Sequence, residues 1–162
     1  MSHNEPVPPV EKRFRVLCDI TRAQHFAWRA AVAGDKRAAV ERMWLVTGEQ
    51  TARAYLKRID SDEQLAEKIA RCIAWSSQCM GEDAAVETGS NGEVMLRHTS
   101  CPWRDWHERE GLLDEDRFGC DAWFRGTVET VNAELGTRLR FETLQTLPEG
   151  ATSCLRRFWV EE

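Results

Sequence analysis

The sequence has no long hydrophobic run and no surplus of positive charge. No apolar stretch approaches the ~20 residues that a membrane-spanning helix needs. The 22 basic residues are interleaved with 27 acidic ones, which leaves a formal net charge of −5. Binding to the phosphates of a nucleic acid depends on clustered cations. We therefore expect a protein that uses neither a membrane nor a nucleic acid as its partner.

An export signal is missing as well. Residues 1–11 are polar and contain three prolines, so we expect residues 1–9 to form a loose lead-in and the protein to be cytoplasmic. In a reducing compartment the six cysteines are expected to be free thiols. Most free cysteines serve as small buried hydrophobic residues, and this interpretation applies first to each of the six.

The signature loops of several enzyme classes are absent. The chain contains no G-x-x-x-x-G-K-[ST], no G-x-G-x-x-G, no H-E-x-x-H and no G-x-S-x-G. The sequence thus offers no motif for a phosphate-binding loop, a dinucleotide site, a zincin metal site or a serine nucleophile elbow. The cysteines form no C-x-x-C pair, which argues against a zinc ribbon and a thioredoxin-type site.

The hydrophobic spacing predicts an α+β fold. Three helices precede Gly81, and a hairpin follows from about Ala84 to His98. A fourth helix runs from Gly119 to about Gly136, and two strands, at about 138–147 and 152–161, close the chain. We predict a single domain over 1–162, with N-terminal helices, then an antiparallel sheet of about four strands and one further helix between two hairpins.

Local signals add detail to the helical half. Gly48 is predicted to kink or split the second helix, because glycine costs about 1 kcal/mol inside a helix. Asp35 is expected to cap that helix, and Asp60 or Ser61 the third. The first helix carries apolar residues at the spacing of an amphipathic helix, namely Val10, Phe14, Leu17, Ala27, Trp28 and Ala31.

Three cysteines stand at the edges of elements in the second half. Cys101 ends a strand, and Pro102 after it biases its backbone toward an extended conformation. Cys120 is predicted to open a helix, where the dipole would lower its pKa, although Asp121 competes for the same N–H groups. Cys154 lies early in the last strand. We assign the other three, Cys18, Cys72 and Cys79, to packing.

Aromatic and histidine residues surround these cysteines in the sequence. Trp103 and Trp106 lie in a predicted irregular connection, and Trp123 lies on the helix that follows. The three tryptophans could wall a pocket for a planar ligand or form a satellite core under a loop. His98 shares a strand face with apolar residues, which is typical of a core or rim histidine. His107 is expected in a solvated charge cluster.

The second half resembles the L-2-amino-thiazoline-4-carboxylic acid hydrolase family over about 93–160. The similarity is carried by short segments around the cysteines, namely Cys101-Pro102-Trp103, Gly111-Leu112, Phe118-Gly119-Cys120-Asp121 and the stretch 147–158 from Leu-Pro-Glu-Gly through Cys154 to Phe158. The resemblance implies ring-opening hydrolysis of a small sulfur–nitrogen heterocycle, with water adding at an amidine-like carbon.

Two mechanisms are compatible with that resemblance. In a thiol mechanism Cys101 is the nucleophile, Cys120 assists, and His98 or Asp121 moves the proton. In a metal mechanism Cys101, Cys120 and Cys154 bind a divalent ion such as zinc, which activates water. In both, Arg156 binds a substrate carboxylate, and the substrate-binding walls are Trp103, Trp106 and Trp123.

Other functions are also open at this point. A tryptophan-lined pocket with cysteines fits a non-catalytic domain that binds a small molecule, or a thiol-based sensor. A pair among the three thiols could sense redox state by forming a disulfide. Long helices with tryptophan-bearing faces are compatible with a homodimer.

Overall fold

The computed structural model describes residues 7–59, 63–89 and 93–161. Within them, five α-helices and four strands follow one another in the order α1 Val10–Ala31, α2 Lys36–Leu56, α3 Leu65–Cys79, β1 Asp83–Thr88, β2 Val94–Ser100, α4 Pro102–Arg109, α5 Leu113–Leu135, β3 Leu139–Gln145 and β4 Cys154–Val160. A short 3-10 turn, Leu147–Glu149, joins the last two strands. None of the described helices is long and apolar enough to cross a membrane.

The strands form one antiparallel sheet in the order β1-β2-β4-β3. The predicted α+β class is therefore confirmed, with helices first and a helical insertion between two hairpins. The insertion contains two helices, because the connection after Cys101 is α4. Pro102 stands in its first turn, where its fixed φ suits a helix and its missing N–H is no loss. The prediction of an irregular segment there was wrong.

The main core lies between one face of the sheet and helices α3 and α5. Ile69 and Ile73 of α3 meet Leu96 and Phe158 of the central strands, and all four are almost completely buried. Val131 closes the layer from α5. Burying a side chain of this size contributes roughly 1.5–3 kcal/mol. This layer therefore fixes the orientation of α5 over the sheet.

Helices α2 and α5 cross in close contact at two glycines. A Cβ on Gly48 would overlap the backbone oxygen of Trp123, and one on Gly126 would overlap that of Leu45. Helix α2 is continuous from Lys36 to Leu56, so Gly48 does not split it as one of the two predictions had it. The missing side chain at Gly48 lets α5 pack closely against α2.

Helix α1 buries a different face from the one its apolar spacing marks. Its buried residues are Cys18, Arg22, His25 and Phe26, whereas the residues of the predicted apolar face are exposed. Polar contacts attach the helix: Arg22 donates to the carbonyl oxygen of Met80, and Arg29 pairs with Glu115 through two hydrogen bonds.

Some predicted local features lie outside the described residues. These are the caps Asp60 and Ser61, residues 1–6 of the predicted lead-in and the centre of the first hairpin turn, 90–92. Residues 7–9 precede α1 without regular structure. The Asp35 cap of α2 is confirmed, since its side chain accepts a hydrogen bond of 3.0 Å from the N–H of Ala38.

Candidate functional site

The layer between the sheet and α5 is apolar at one end and polar at the other. On the inner face of the sheet, His98 of β2 lies directly opposite Cys154 of β4, and Arg156 is the next inward residue along β4. All three are buried. Because side chains of a strand alternate between faces, the same face carries Val94 and Phe158 at the apolar end.

Helix α5 continues this division along its inner face. Asp116, Cys120, Phe124 and Val128 are spaced four residues apart, so they lie on one side of the helix. The first two belong to the polar end and the last two to the core. Cys120 lies about two turns inside α5, which begins at Leu113. The predicted activation of Cys120 by a helix N-terminus was therefore wrong, and burial raises its pKa well above the usual value.

Cys101 is the cysteine that lies at a helix N-terminus. It is the N-cap residue of α4, and its backbone is extended, as Pro102 predicted. The N–H groups of Trp103 and Arg104 favour its thiolate, but burial and the nearby carboxylates of Glu82 and Asp116 dominate and raise the pKa of Cys101. The thiol is therefore protonated at neutral pH and needs a base to become a nucleophile.

A buried carboxyl group, Glu82, joins this region from the loop between α3 and β1. Burial raises the pKa of Glu82 to about 7, although the Ser77 hydroxyl and the charges of Arg22 and Arg156 oppose the shift. One carboxyl oxygen lies 3.5 Å from Nε2 of His98, and the Ser77 hydroxyl lies 3.0 Å from the same nitrogen. Sequence analysis missed Glu82, because no motif or periodic pattern marks this loop residue.

His98 is neutral at physiological pH. Burial and the positive charge of Arg156 lower its pKa to about 4. Its other ring nitrogen, Nδ1, is buried and has no hydrogen-bond partner among the described residues. A neutral imidazole beside Glu82 can hold or pass a proton without adding charge to the site.

Arg156 connects these groups electrostatically. Its charge acts on Glu82, His98, Cys120 and Cys154. We call the residues of this region the polar cluster, namely Glu82, His98, Cys101, Asp116, Cys120, Cys154 and Arg156. Among them, Cys101 and Cys120 also influence each other's charge. The three cysteines predicted to converge thus share one electrostatic environment.

Arg156 is held from the opposite side by Asp121. Its guanidinium lies 4.2 Å from the centre of the Phe124 ring, and Nη2 lies 3.5 Å from a carboxylate oxygen of Asp121. The same oxygen accepts a hydrogen bond of 2.8 Å from Thr143. The other oxygen of Asp121 is 3.3 Å from Arg117. Asp121, predicted to move a proton, is thus engaged by three donors.

Asp121 also lines a surface cleft of about 710 Å³. The cleft carries three arginines, Arg37, Arg117 and Arg125, and it is bordered by Phe118 of α5. None of the three cysteines lines it. Asp121 is therefore the point of contact between this cleft and the polar cluster.

The predicted tryptophan walls are divided between two regions. Trp103 packs in an edge-on arrangement against His25 and Trp44, with ring centres 5.7 and 5.4 Å apart. Trp106 stacks on Phe26 of α1. Trp123 packs against the main core instead. Their role in binding a substrate stays a prediction.

His107 is buried, and the prediction of a solvated position was wrong. It lies on the inner side of α4, and its Nδ1 is 2.9 Å from the backbone oxygen of Trp103 and 3.1 Å from a carboxylate oxygen of Asp116. Both His107 and Asp116 are 4% exposed. The pair fixes α4, and with it Cys101, against the beginning of α5.

The residues predicted to bind zinc do not form a suitable ligand set. In the part of the chain that the structure describes, no three histidine, cysteine or acidic side chains are arranged to hold a metal ion. Cys154 instead accepts a hydrogen bond of 3.3 Å from the N–H of Leu147. The zinc mechanism therefore has no ligand set among the described residues.

Solved structures with similar folds come from proteins of different kinds. Subunit 3 of a trafficking protein particle complex from Naegleria fowleri, covalently bound to palmitic acid, matches with a TM-score of 0.58 and 15% identity over 94% of this chain and 97% of that chain. An H-NOX protein from S. oneidensis in the Fe(II)NO ligation state matches with a TM-score of 0.50 and 12% identity over 100% of this chain and 81% of that chain. At such low identity these similarities concern the fold alone.

Comparison with curated proteins finds no match. A family model described as L-2-amino-thiazoline-4-carboxylic acid hydrolase matches residues 18–158. The match includes the polar cluster and extends through the helical half, beyond the segment in which the sequence resemblance was recognised. The chain therefore belongs to the L-2-amino-thiazoline-4-carboxylic acid hydrolase family, whose name suggests a small-molecule hydrolase.

Proposed function

We propose that the protein hydrolyses a small, non-peptide C–N or C–S bond at the polar cluster, with Cys101 as the nucleophile and Glu82 as its base. The observation that carries this proposal is a largely buried thiol at a helix N-terminus whose charge is influenced by a carboxyl group of pKa about 7. A base titrating near neutral pH is best suited to exchange protons at that pH. Family membership supports the reaction class.

The proposed reaction has two stages. In the first, Glu82 accepts the proton of Cys101, and the sulfur attacks the electrophilic carbon of the substrate. The bond to the leaving nitrogen or sulfur breaks, and the leaving atom takes the proton from Glu82. In the second, Glu82 removes a proton from water, and the hydroxide displaces the sulfur of Cys101. The thiol regains its proton, and the net change is addition of water to one substrate bond.

Arg156 binds the negatively charged carboxylate of the substrate in this proposal. Its guanidinium is 3% exposed, and its Nε has no hydrogen-bond partner among the described residues. A buried guanidinium with a free donor is suited to bind a carboxylate of the substrate. Asp121 acts as a positioning residue, because it reaches the substrate side only through Arg156.

Replacing the nucleophile tests the proposal. With L-2-amino-thiazoline-4-carboxylate as the probe, C–S cleavage releases a thiol that a colorimetric reagent detects. We expect Cys101→Ser to lower kcat by at least about a thousandfold, with little change in the unfolding midpoint. Cys79→Ser is the matched control, because Cys79 is an exposed free thiol at the end of α3.

Each alternative predicts a different result. Full activity of Cys101→Ser would exclude Cys101 as the nucleophile. If the wild type contains zinc and Cys101→Ser loses both the zinc and the activity, the metal mechanism is favoured. Tight binding of the probe by the wild type without any turnover would favour the non-catalytic binding domain.

A further inference from the structure

Helix α1 carries a heptad seam that faces solvent. Seven residues alternate at intervals of four and three along the whole helix, which is the 3.5-residue repeat of a coiled coil. All seven are exposed, and they are Val10, Phe14, Leu17, Thr21, Gln24, Trp28 and Ala31. Val10 and Leu17 keep more than 60% of their surface in water. We call this row the α1 seam.

The seam is separate from the face that attaches α1 to the protein. Attachment uses Arg22, His25 and Arg29, through hydrogen bonds, ring contacts and an ion pair. The helix buries Cys18 and Phe26 together with the first two of these polar residues, yet it leaves the large apolar residues of the seam in water. Large apolar side chains left in water along one side of a helix mark a contact surface.

We propose that the α1 seam pairs with the α1 seam of a second copy of this chain, so that the protein is a homodimer. A heptad seam fits another helix, since each apolar side chain inserts between residues of a facing seam with the same spacing. A second copy supplies such a seam, and two-fold pairing makes the contact self-complementary. An antiparallel arrangement would set Leu17 against Trp28 and Thr21 against Gln24.

The area of the seam matches the requirement of a dimer. The exposed fractions of its large residues, together with the flanking Ile20, amount to about two and a half whole side chains per copy. At about 150 Å² each, this is on the order of 375 Å². A homodimer interface of about 800 Å² per partner is about 65% apolar, or roughly 520 Å². Helix pairing alone therefore supplies most of the apolar area that is needed.

Molar mass in solution tests the proposal independently of any enzymatic activity. Light scattering on the full chain is expected to give twice the 18.6 kDa of one chain, with dissociation on dilution. Leu17→Glu should raise the dissociation constant at least about a hundredfold, because it places a charge in the apolar contact. Leu144→Glu is the matched control, since Leu144 is a 44% exposed leucine on β3.

A second variant tests the seam in the opposite direction. Thr21→Leu with Gln24→Leu should lower the dissociation constant about tenfold, because polar residues in a seam cost stability. A monomeric wild type at every concentration, or a dimer indifferent to Leu17→Glu, would overturn the proposal. So would a monomer that binds anionic phospholipid vesicles and loses this binding with Leu17→Glu.

Discussion

At the residue scale, the candidate chemistry depends on burial more than on residue type. Cys101 and Cys120 are both largely buried, and the pKa of each thiol is raised. Glu82 is largely buried as well, yet the Ser77 hydroxyl and two arginines limit the rise of its pKa to about 7. The same desolvation therefore leaves the thiols protonated and produces a carboxyl group that exchanges protons at neutral pH.

The pH dependence of the proposed reaction follows from Glu82. Because the base must be ionised, kcat/KM should rise with pH up to about 7 and then level off. Glu82→Gln should lower kcat/KM by about a hundredfold or more and remove the rise near pH 7. Steady-state kinetics between pH 5 and pH 9 measure both effects.

Glu87→Gln provides the control for that measurement, since Glu87 lies exposed on β1 and its carboxylate is 3.8 Å from Nε of Arg97, away from the polar cluster. A Glu82→Gln enzyme that keeps the wild-type pH profile would show that another group is the base.

At the element scale, the site is positioned by the close crossing of α2 and α5. Gly48 and Gly126 let the two backbones approach until no Cβ can fit between them. Helix α5 carries Asp116 and Cys120 on the face turned toward the sheet. A change in the crossing would therefore displace two members of the polar cluster.

Gly48→Ala separates helix propensity from packing. Alanine is favoured over glycine in a helix by about 1 kcal/mol, but its methyl group would overlap the backbone oxygen of Trp123. We expect the free energy of unfolding to fall by about 2 kcal/mol, since overpacking outweighs propensity. Urea denaturation gives the value. Gln50→Ala, at an exposed position of the same helix, should change it by less than about 0.5 kcal/mol.

Local sequence patterns predicted the helices and strands well, but they did not predict which other elements each of them packs against. The last strand, the Asp35 cap and the extended backbone of Cys101 depend on neighbouring residues, and the structure confirms them. The packing side of α1 and the role of Gly48 depend on elements distant in the sequence. A helical pattern marks an apolar face without saying what covers it.

The candidate site shows the same limit. The three cysteines were found because they stand beside turn and proline signals. Cys120 was wrongly predicted at a helix N-terminus, because Gly119 indicated the start of the helix and α5 begins about two turns earlier, at Leu113. Glu82 became visible only when the tertiary structure placed it beside His98. A buried carboxyl group acquires its character from contacts that no local sequence pattern records.

At the scale of the whole molecule, one structural layer combines a stabilising end and a reactive end. The apolar end, around Phe158 and Val131, contributes burial without titratable groups. The polar end contains groups whose pKa values the fold shifts in opposite directions. Native proteins are stable by only about 5–15 kcal/mol, so these shifts are a substantial part of the total. The stability of the protein should therefore depend on pH in a way that identifies the polar cluster.

We expect maximal stability near pH 7. Burial lowers the pKa values of His25 and His98 from 6.5 to about 4, so the unfolded chain binds more protons below pH 6.5 and acid destabilises the fold. Burial raises the pKa of Glu82 from 4.5 to about 7, so the folded chain binds the extra proton and stability falls as pH rises through that range. Between pH 4.5 and pH 6.5 the two histidines outweigh the single carboxyl group.

Chemical denaturation at pH 4.5, 5, 7 and 8 measures this dependence. The wild type should be less stable at pH 5 than at pH 7, and its stability should change little between pH 7 and pH 8. Glu82→Gln should gain up to about 3 kcal/mol at pH 8, where it removes a buried charge, and nearly nothing at pH 4.5. A variant that is inactive and yet more stable would identify Glu82 as a residue that the fold retains at a cost in stability, which is expected of a functional group. An equal gain at both pH values would instead assign the effect to packing.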